Sequence, residues 1–180
     1  MSLDQNTGWL NGIKHKPSPN FNQRPNRLDL SLLVIHCISL PEGQFGGSEV
    51  IDFFQNKLDM NQHKSFNLLK GMKVSAHFLI RRCGAIIQFV SIYDRAWHAG
   101  VSSFEGRENC NDYSIGVELE GTIDQSYEKA QYSSLVKLTN LLISHTIINK
   151  TSIVAHSDIA PRRKSDPGEY FDWGYYLRCL

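Results

Sequence analysis

Residues 28 to 37, "LDLSLLVIHC", restrict the fold more than any other stretch of the chain. A strand with one face in water alternates apolar and polar side chains, whereas Leu32, Leu33, Val34 and Ile35 are apolar without a break. Such a strand needs cover on both faces, the condition of an inner strand in a layered α/β domain. Its alternation sets Leu32, Val34 and His36 on one side and Leu33, Ile35 and Cys37 on the other. The strand is expected to end near His36, where "SLPEGQFGG" turns the chain.

The cover is visible further along. From about Tyr127 to Ile148, Leu135, Leu138, Leu141, Leu142 and Ile148 recur at steps of three and four, predicting the longest helix. His145 falls on that stripe and reads as a core histidine. "SEVIDFFQNKL" predicts a short helix capped by Ser48, and "FDWGYYLRCL" a last one. "VSAHFLIRR" and "AIIQFVS" predict an antiparallel hairpin, "YSIGVELEG" a strand, and "TSIVAHS" a strand ending at His156. Residues 59 to 73 lack a period and read as a loop with a helical turn. The expected fold is a single-domain α/β sandwich, a mixed central sheet flanked by helices, spanning residues 28–180 with residues 1–27 as an arm over it.

The totals narrow the function classes. A chain of 180 residues, 41% apolar, carries one core of ordinary size. With 19 basic and 18 acidic residues it offers no general attraction to nucleic acid or an anionic membrane. The first twenty residues lack the apolar run of a secretory signal, and no run of 18 apolar residues occurs, so a cytoplasmic protein is expected. Four cysteines lack zinc-ribbon or redox spacing and are expected as thiols.

His36 and His156 each close an apolar strand. If those strands are parallel neighbours, both imidazoles reach one edge of the sheet, where open α/β folds place their sites. Asp166 follows His156 by ten residues in "HSDIAPRRKSDPG", whose prolines exclude a regular helix or strand and allow the chain to fold back. Two imidazoles and a carboxylate suit zinc and leave a fourth position for water. A histidine at a strand end is nonetheless most often only hydrogen-bonded, and a gap of 120 residues has no local signature.

Four blocks, "VIHCISLPEGQFGG", "VSAHFLIRR", "RAWHAGVSSFEGRENCNDYSIGVELEGT" and "HSDIAPRRKSDPG", follow one another across nearly the whole chain. Together they resemble the AmpD-type amidases, the cytoplasmic branch of the zinc-dependent N-acetylmuramoyl-L-alanine amidases. The resemblance implies that His36, His156 and Asp166 bind Zn²⁺ and that Glu118 and Lys164 assist catalysis. It implies a sheet flanked by helices, related to peptidoglycan recognition proteins and phage amidases. The bond cut would join (1,6-anhydro-)N-acetylmuramic acid to L-alanine in wall-turnover fragments. A monomer acting on muropeptides, with no nucleic acid or membrane partner, is expected.

On the residues alone, Glu118 and Glu120 are equivalent carboxylates on one strand face, and Lys164 is one member of a basic run; only the resemblance separates them. A sugar ring calls for an aromatic platform, which Trp97 supplies unless it is a core residue. Stem-peptide carboxylates call for basic groups, and the resemblance points to Lys73 and to position 109. There the chain departs from the family pattern, with Asn109 in place of the usual arginine. Cys37 likewise stands where asparagine is usual, and its side chain is expected to point away from His36, which argues against a fourth ligand. His77 and His98 read either as groups around the site or as core and loop residues. The rivals are a muropeptide-binding module that does not cleave and a zinc peptidase acting on peptides without sugar.

Overall fold

The computed structural model describes residues 1–180. Six strands build the central sheet: β1 (Lys14–His15), β2 (Leu32–Ile38), β3 (Phe78–Ile80), β4 (Ile86–Gln88), β5 (Ser114–Glu120) and β6 (Ile153–Ala155). Their order is β6-β2-β5-β3-β4-β1. β6, β2, β5 and β3 run parallel, β3 and β4 form the antiparallel hairpin, and β1 pairs parallel with β4. The sheet is therefore mixed, as the sequence predicts.

The unbroken apolar run of β2 is explained by what lies on its two sides. Leu33 and Ile35 join Ile115, Val117 and Leu119 of β5 in the main core, under α2 (Lys129–His145). Leu135, Leu138 and Leu142 of α2 are fully buried there, each worth about 1.5 to 3 kcal/mol of transfer free energy. The amide of Gln131 pins the helix to the sheet by donating to the carbonyls of Ile80 and Glu120. On the opposite face Leu32 and Val34 pack with Ile159 of α3 (His156–Ile159), and Leu79 and Ile87 pack with Phe53 and Phe54 of α1 (Glu49–Phe54). A final helix, α4 (Trp173–Arg178), adds the buried Tyr176 to the main core.

Several boundaries differ from the sequence reading. β2 runs two residues past His36, because His36 and Ile38 still pair with Glu118 and Glu120 of β5. β6 stops at Ala155, and His156 opens α3, since the Asp158 carboxylate accepts from the Ala155 N–H and starts a helical turn. The long helix is shorter than its apolar stripe: Thr146 is extended, although Ile148 beyond it remains in the core. His145, expected in the core, is exposed in the last turn, with its Nδ1 3.4 Å from the Gln5 side-chain amide. Ser48 precedes α1 but its hydroxyl donates to Asp52 and caps nothing. Within residues 59–73 the helical turn is a 3-10 segment, Lys64–Leu69. Residues 1–27 supply β1 and a strand, Phe21–Gln23, paired with Asp94–Ala96.

Candidate metal centre and active site

The register of the sheet brings the site together. Glu118 lies directly beside His36 on neighbouring parallel strands, so both project from the same face. Ala155 pairs with Ile35, which places His156 next to His36 at the edge of the strands. Asp166 is returned by its loop. Ser157 N–H donates to the Asp166 carbonyl (3.1 Å), and the Tyr127 hydroxyl donates to the next carbonyl, that of Pro167 (2.7 Å). Gly168 has φ +88°, and a Cβ there would come within 2.2 Å of the Ile123 carbonyl oxygen. The "DPG" sequence is thus the hinge that carries Asp166 back.

The three ligand candidates converge. His36 Nδ1 and His156 Nδ1 lie 2.9 Å apart, and Asp166 Oδ2 is 3.0 Å from His156 Nδ1 and 3.3 Å from His36 Nδ1. His156 Nε2 faces the Ala99 carbonyl at 3.2 Å, which can only accept, so that nitrogen carries the proton and Nδ1 of the neutral ring is bare. A bare nitrogen turned toward a carboxylate oxygen is repulsive unless a positive charge sits between them. The donor set, two imidazoles and one carboxylate, fits a divalent cation of zinc type. Burial, and after it the neighbouring imidazole of His156, push the His36 pKa down to about 4, against the attraction of Asp166. For Asp166 burial acts upward, but the His156 and His36 contacts outweigh it and hold the group well below the usual carboxylate range. Cys37 turns to the other face, against the main core, and takes no part in the cluster.

The two glutamates that the sequence leaves equivalent are not alike. Glu120 accepts from Gly46 N–H (2.8 Å) and Arg82 N–H (3.0 Å) and pairs with Arg81 Nε at 3.3 Å, so its carboxylate ties loops together. Glu118 Oε2 is buried with no partner. Burial first, and then the negative charge of Asp166, raise the Glu118 pKa well above its ordinary value, while Lys164 opposes them. A buried carboxylate left unsatisfied is a large local penalty, and active sites are where such penalties persist.

A cavity of about 320 Å³ opens on the cluster, with Glu118, Lys164 and Trp97 in its wall. A second, of about 460 Å³, continues it past Cys37, Leu69 and Asp166 to Thr122 and Arg163. Trp97 is half-buried and held by its indole N–H, which donates to Asn22 Oδ1 at 2.7 Å. The basic run divides its work: Lys164 lines both cavities, whereas the Arg163 guanidinium donates to the carbonyls of Ala99 (2.6 Å) and Val101 (2.9 Å). Lys73 is exposed and lines a separate cavity of about 200 Å³, which shares Phe53 and Met72 with that of the cluster. Asn109 is exposed at φ +56°, a left-handed conformation that asparagine tolerates, and lines neither cavity at the cluster. His77 is fully buried and is not one of the converging donors, accepting from Gly116 N–H through Nδ1 and packing edge-on against the His98 ring, with centroids 5.7 Å apart. The sequence reading missed Tyr127, Arg163, Asn111 and Gly116; a glycine inside a strand pattern is a signal of close approach that would have found the last.

Two imidazoles and a carboxylate gathered at a sheet edge beside an unpaired buried glutamate are the arrangement of a metal-assisted hydrolase. Residues 26–169 match the model of the family described as N-acetylmuramoyl-L-alanine amidase, and the chain belongs to that family. A relative from Haemophilus influenzae, 1,6-anhydro-N-acetylmuramyl-L-alanine amidase AmpD, is 55% identical over 98% of this chain and 97% of its own length. Among solved structures, a selenomethionine AmpD derivative is 48% identical with a TM-score of 0.96, covering 100% of this chain and 99% of that one. The Escherichia coli amidase AmiD, in complex with its substrate anhydro-N-acetylmuramic acid-L-Ala-D-γ-Glu-L-Lys, is 30% identical with a TM-score of 0.63, over 84% of this chain and 57% of that one.

Proposed function

We propose that the chain hydrolyses the amide between 1,6-anhydro-N-acetylmuramic acid and L-alanine in peptidoglycan turnover fragments, using Zn²⁺ held by His36, His156 and Asp166. The unpaired Oε2 of Glu118 in the wall of the cluster's cavity is the observation that carries this reading. When bound by these three residues, the cation would supply Lewis acidity for the attack of water on the amide. Glu118, whose raised affinity for a proton suits a general base, takes the proton of the attacking water and delivers it to the amine of the departing L-alanine. The ammonium of Lys164, in the same cavity wall, faces the negative charge that develops on the carbonyl oxygen.

Trp97, in the same wall, would offer its ring to the sugar. Lys73, at the rim through its neighbour Met72, would meet a stem-peptide carboxylate where it leaves the cavity. Asn109 would meet the peptide only outside the cavity, as a neutral hydrogen-bonding group. Action in the cytoplasm, by a monomer, completes the proposal. No helix is long and apolar enough to cross a membrane. Incubation of the zinc-loaded protein with anhydromuramyl tripeptide, followed by mass spectrometry, should release free tripeptide. Binding without release would favour a muropeptide-binding module instead.

A further inference from the structure

The two ligand imidazoles do not orient themselves. A metal on Nδ1 requires the proton on Nε2, and the partner of that N–H fixes the rotation of the ring and its basicity. Both partners come from one dipeptide: His98 Nδ1 lies 2.9 Å from His36 Nε2, and the Ala99 carbonyl lies 3.2 Å from His156 Nε2. We propose that His98–Ala99 is a single positioning clamp for both metal-bearing imidazoles, with His98 as the acceptor that fixes His36. This deepens the functional reading above and rests on its ligand assignment.

The clamp is built into the fold. The buried Asn111 uses one oxygen, Oδ1, to accept from both N–H groups of the dipeptide, His98 (3.1 Å) and Ala99 (2.8 Å). The Asn111 carbonyl in turn accepts from the buried Arg24 guanidinium (2.9 Å). Arg163 holds the Ala99 oxygen from the other side at 2.6 Å. The far nitrogen of His98, Nε2, lies 3.2 Å from Ser114 Oγ, which can accept a hydrogen bond from Nε2–H and so leave Nδ1 free to accept from His36. The ring rests on Gly116, where a Cβ would stand 2.5 Å from the imidazole. The absence of a side chain at 116 is therefore part of the clamp, one residue pair away from the strand position that carries Glu118.

Zinc affinity, measured by competition with a chromophoric chelator, tests the proposal without turnover. Three variants serve: His98→Leu removes the acceptor, His98→Asn puts an amide oxygen in the place of Nδ1, and Gly116→Ala displaces the ring. Removing a partner of a ligand histidine weakens metal binding by about ten- to a hundredfold. H98L and G116A are expected in that range, and H98N within about threefold of the wild type. In ¹⁵N spectra of the zinc-loaded wild type the His36 Nε2 proton should be present and slow to exchange, and in H98L fast to exchange, a change that a merely space-filling role for His98 would not produce. Equal zinc affinity in wild type and H98L, or H98N as weak as H98L, overturns the clamp and leaves the ligand assignment standing. If H98L does not fold, H98N and G116A decide: retained affinity in the first with loss in the second supports the clamp, and the reverse overturns it. A wild type that takes up no zinc overturns the ligand assignment and the clamp with it.

Discussion

The two faces of β5 are built from alternate residues of the same seven, yet they obey different rules. On one face Ile115, Val117 and Leu119 share a core with the leucines of α2, where any one contact is backed by its neighbours. On the other, Gly116, Glu118 and Glu120 each have a single assignment: a bed for His98, an unpaired carboxylate at the cluster, and a tie for three donors. The apolar face supplies stability that is diffuse and replaceable in small steps. The polar face concentrates chemistry in atoms that have no substitute.

This contrast can be broken by experiment, beginning where the effect is largest. Asp166→Ala removes one of the three proposed ligands, so metal content measured by plasma emission should fall from near one per chain to near none, and amide hydrolysis should drop below detection. Glu118→Gln should keep its metal and lose about 10²- to 10⁴-fold in kcat, the span of a general base. An undiminished kcat in that variant would remove Glu118 from the mechanism. Leu138→Ala, on the apolar face, should lower unfolding free energy in urea by about 2 to 5 kcal/mol while the folded fraction retains its kcat. Glu120→Gln should lie between the classes, with stability reduced by about 1 to 3 kcal/mol and kcat changed far less than in E118Q. If the two glutamine variants behave alike, the division between them fails.

The polar face can also be read through pH, in protein stripped of metal. Burial is the leading cause that depresses the pKa values of His36, His77 and His98 below the ordinary 6.5. As pH falls below about 6.5, the unfolded chain binds protons at these rings that the folded chain refuses, so their contribution is full above that value and declines toward about 4, where His36 itself titrates, while the raised pKa of Glu118 works in the opposite direction. Urea midpoints of the E118Q variant at pH 7.5 and 5, where the opposing carboxyl is gone, should show this loss, and a midpoint flat across that interval would contradict the burial of those rings.

Much of the fold was legible because strand alternation survives in three dimensions. The facing sets Leu33–Ile35–Cys37 and Ile115–Val117–Leu119 follow from a period of two and needed no tertiary information. The meeting of His36 with His156 was legible only on the condition that their strands run as parallel neighbours, a condition that the pairing of β2 with β6 meets. Other assignments were decided by groups far away in sequence. Nothing local distinguishes Glu118 from Glu120; Gly46, Arg81 and Arg82 do, and they arrive by folding. The end of β6 was misplaced by one residue because Asp158 competes for the Ala155 N–H, a local signal outweighed in reading by the apolar run before it. His145 continues an apolar stripe in sequence but sits where α2 is about to end and the sheet beneath it gives out. The partnership of His98 with His36 depends on a contact across 62 positions, which no spacing rule reaches.

The return of Asp166 to His36 has a consequence for how the enzyme is made. During synthesis the first donor leaves the ribosome early, with the second and third following only when most of the chain is out. A nascent or truncated chain lacking the "DPG" hinge would hold an incomplete grip on the ion however well its sheet had formed. On the proposed ligand set, hydrolytic competence would therefore arrive only once residue 166 has folded back onto the sheet.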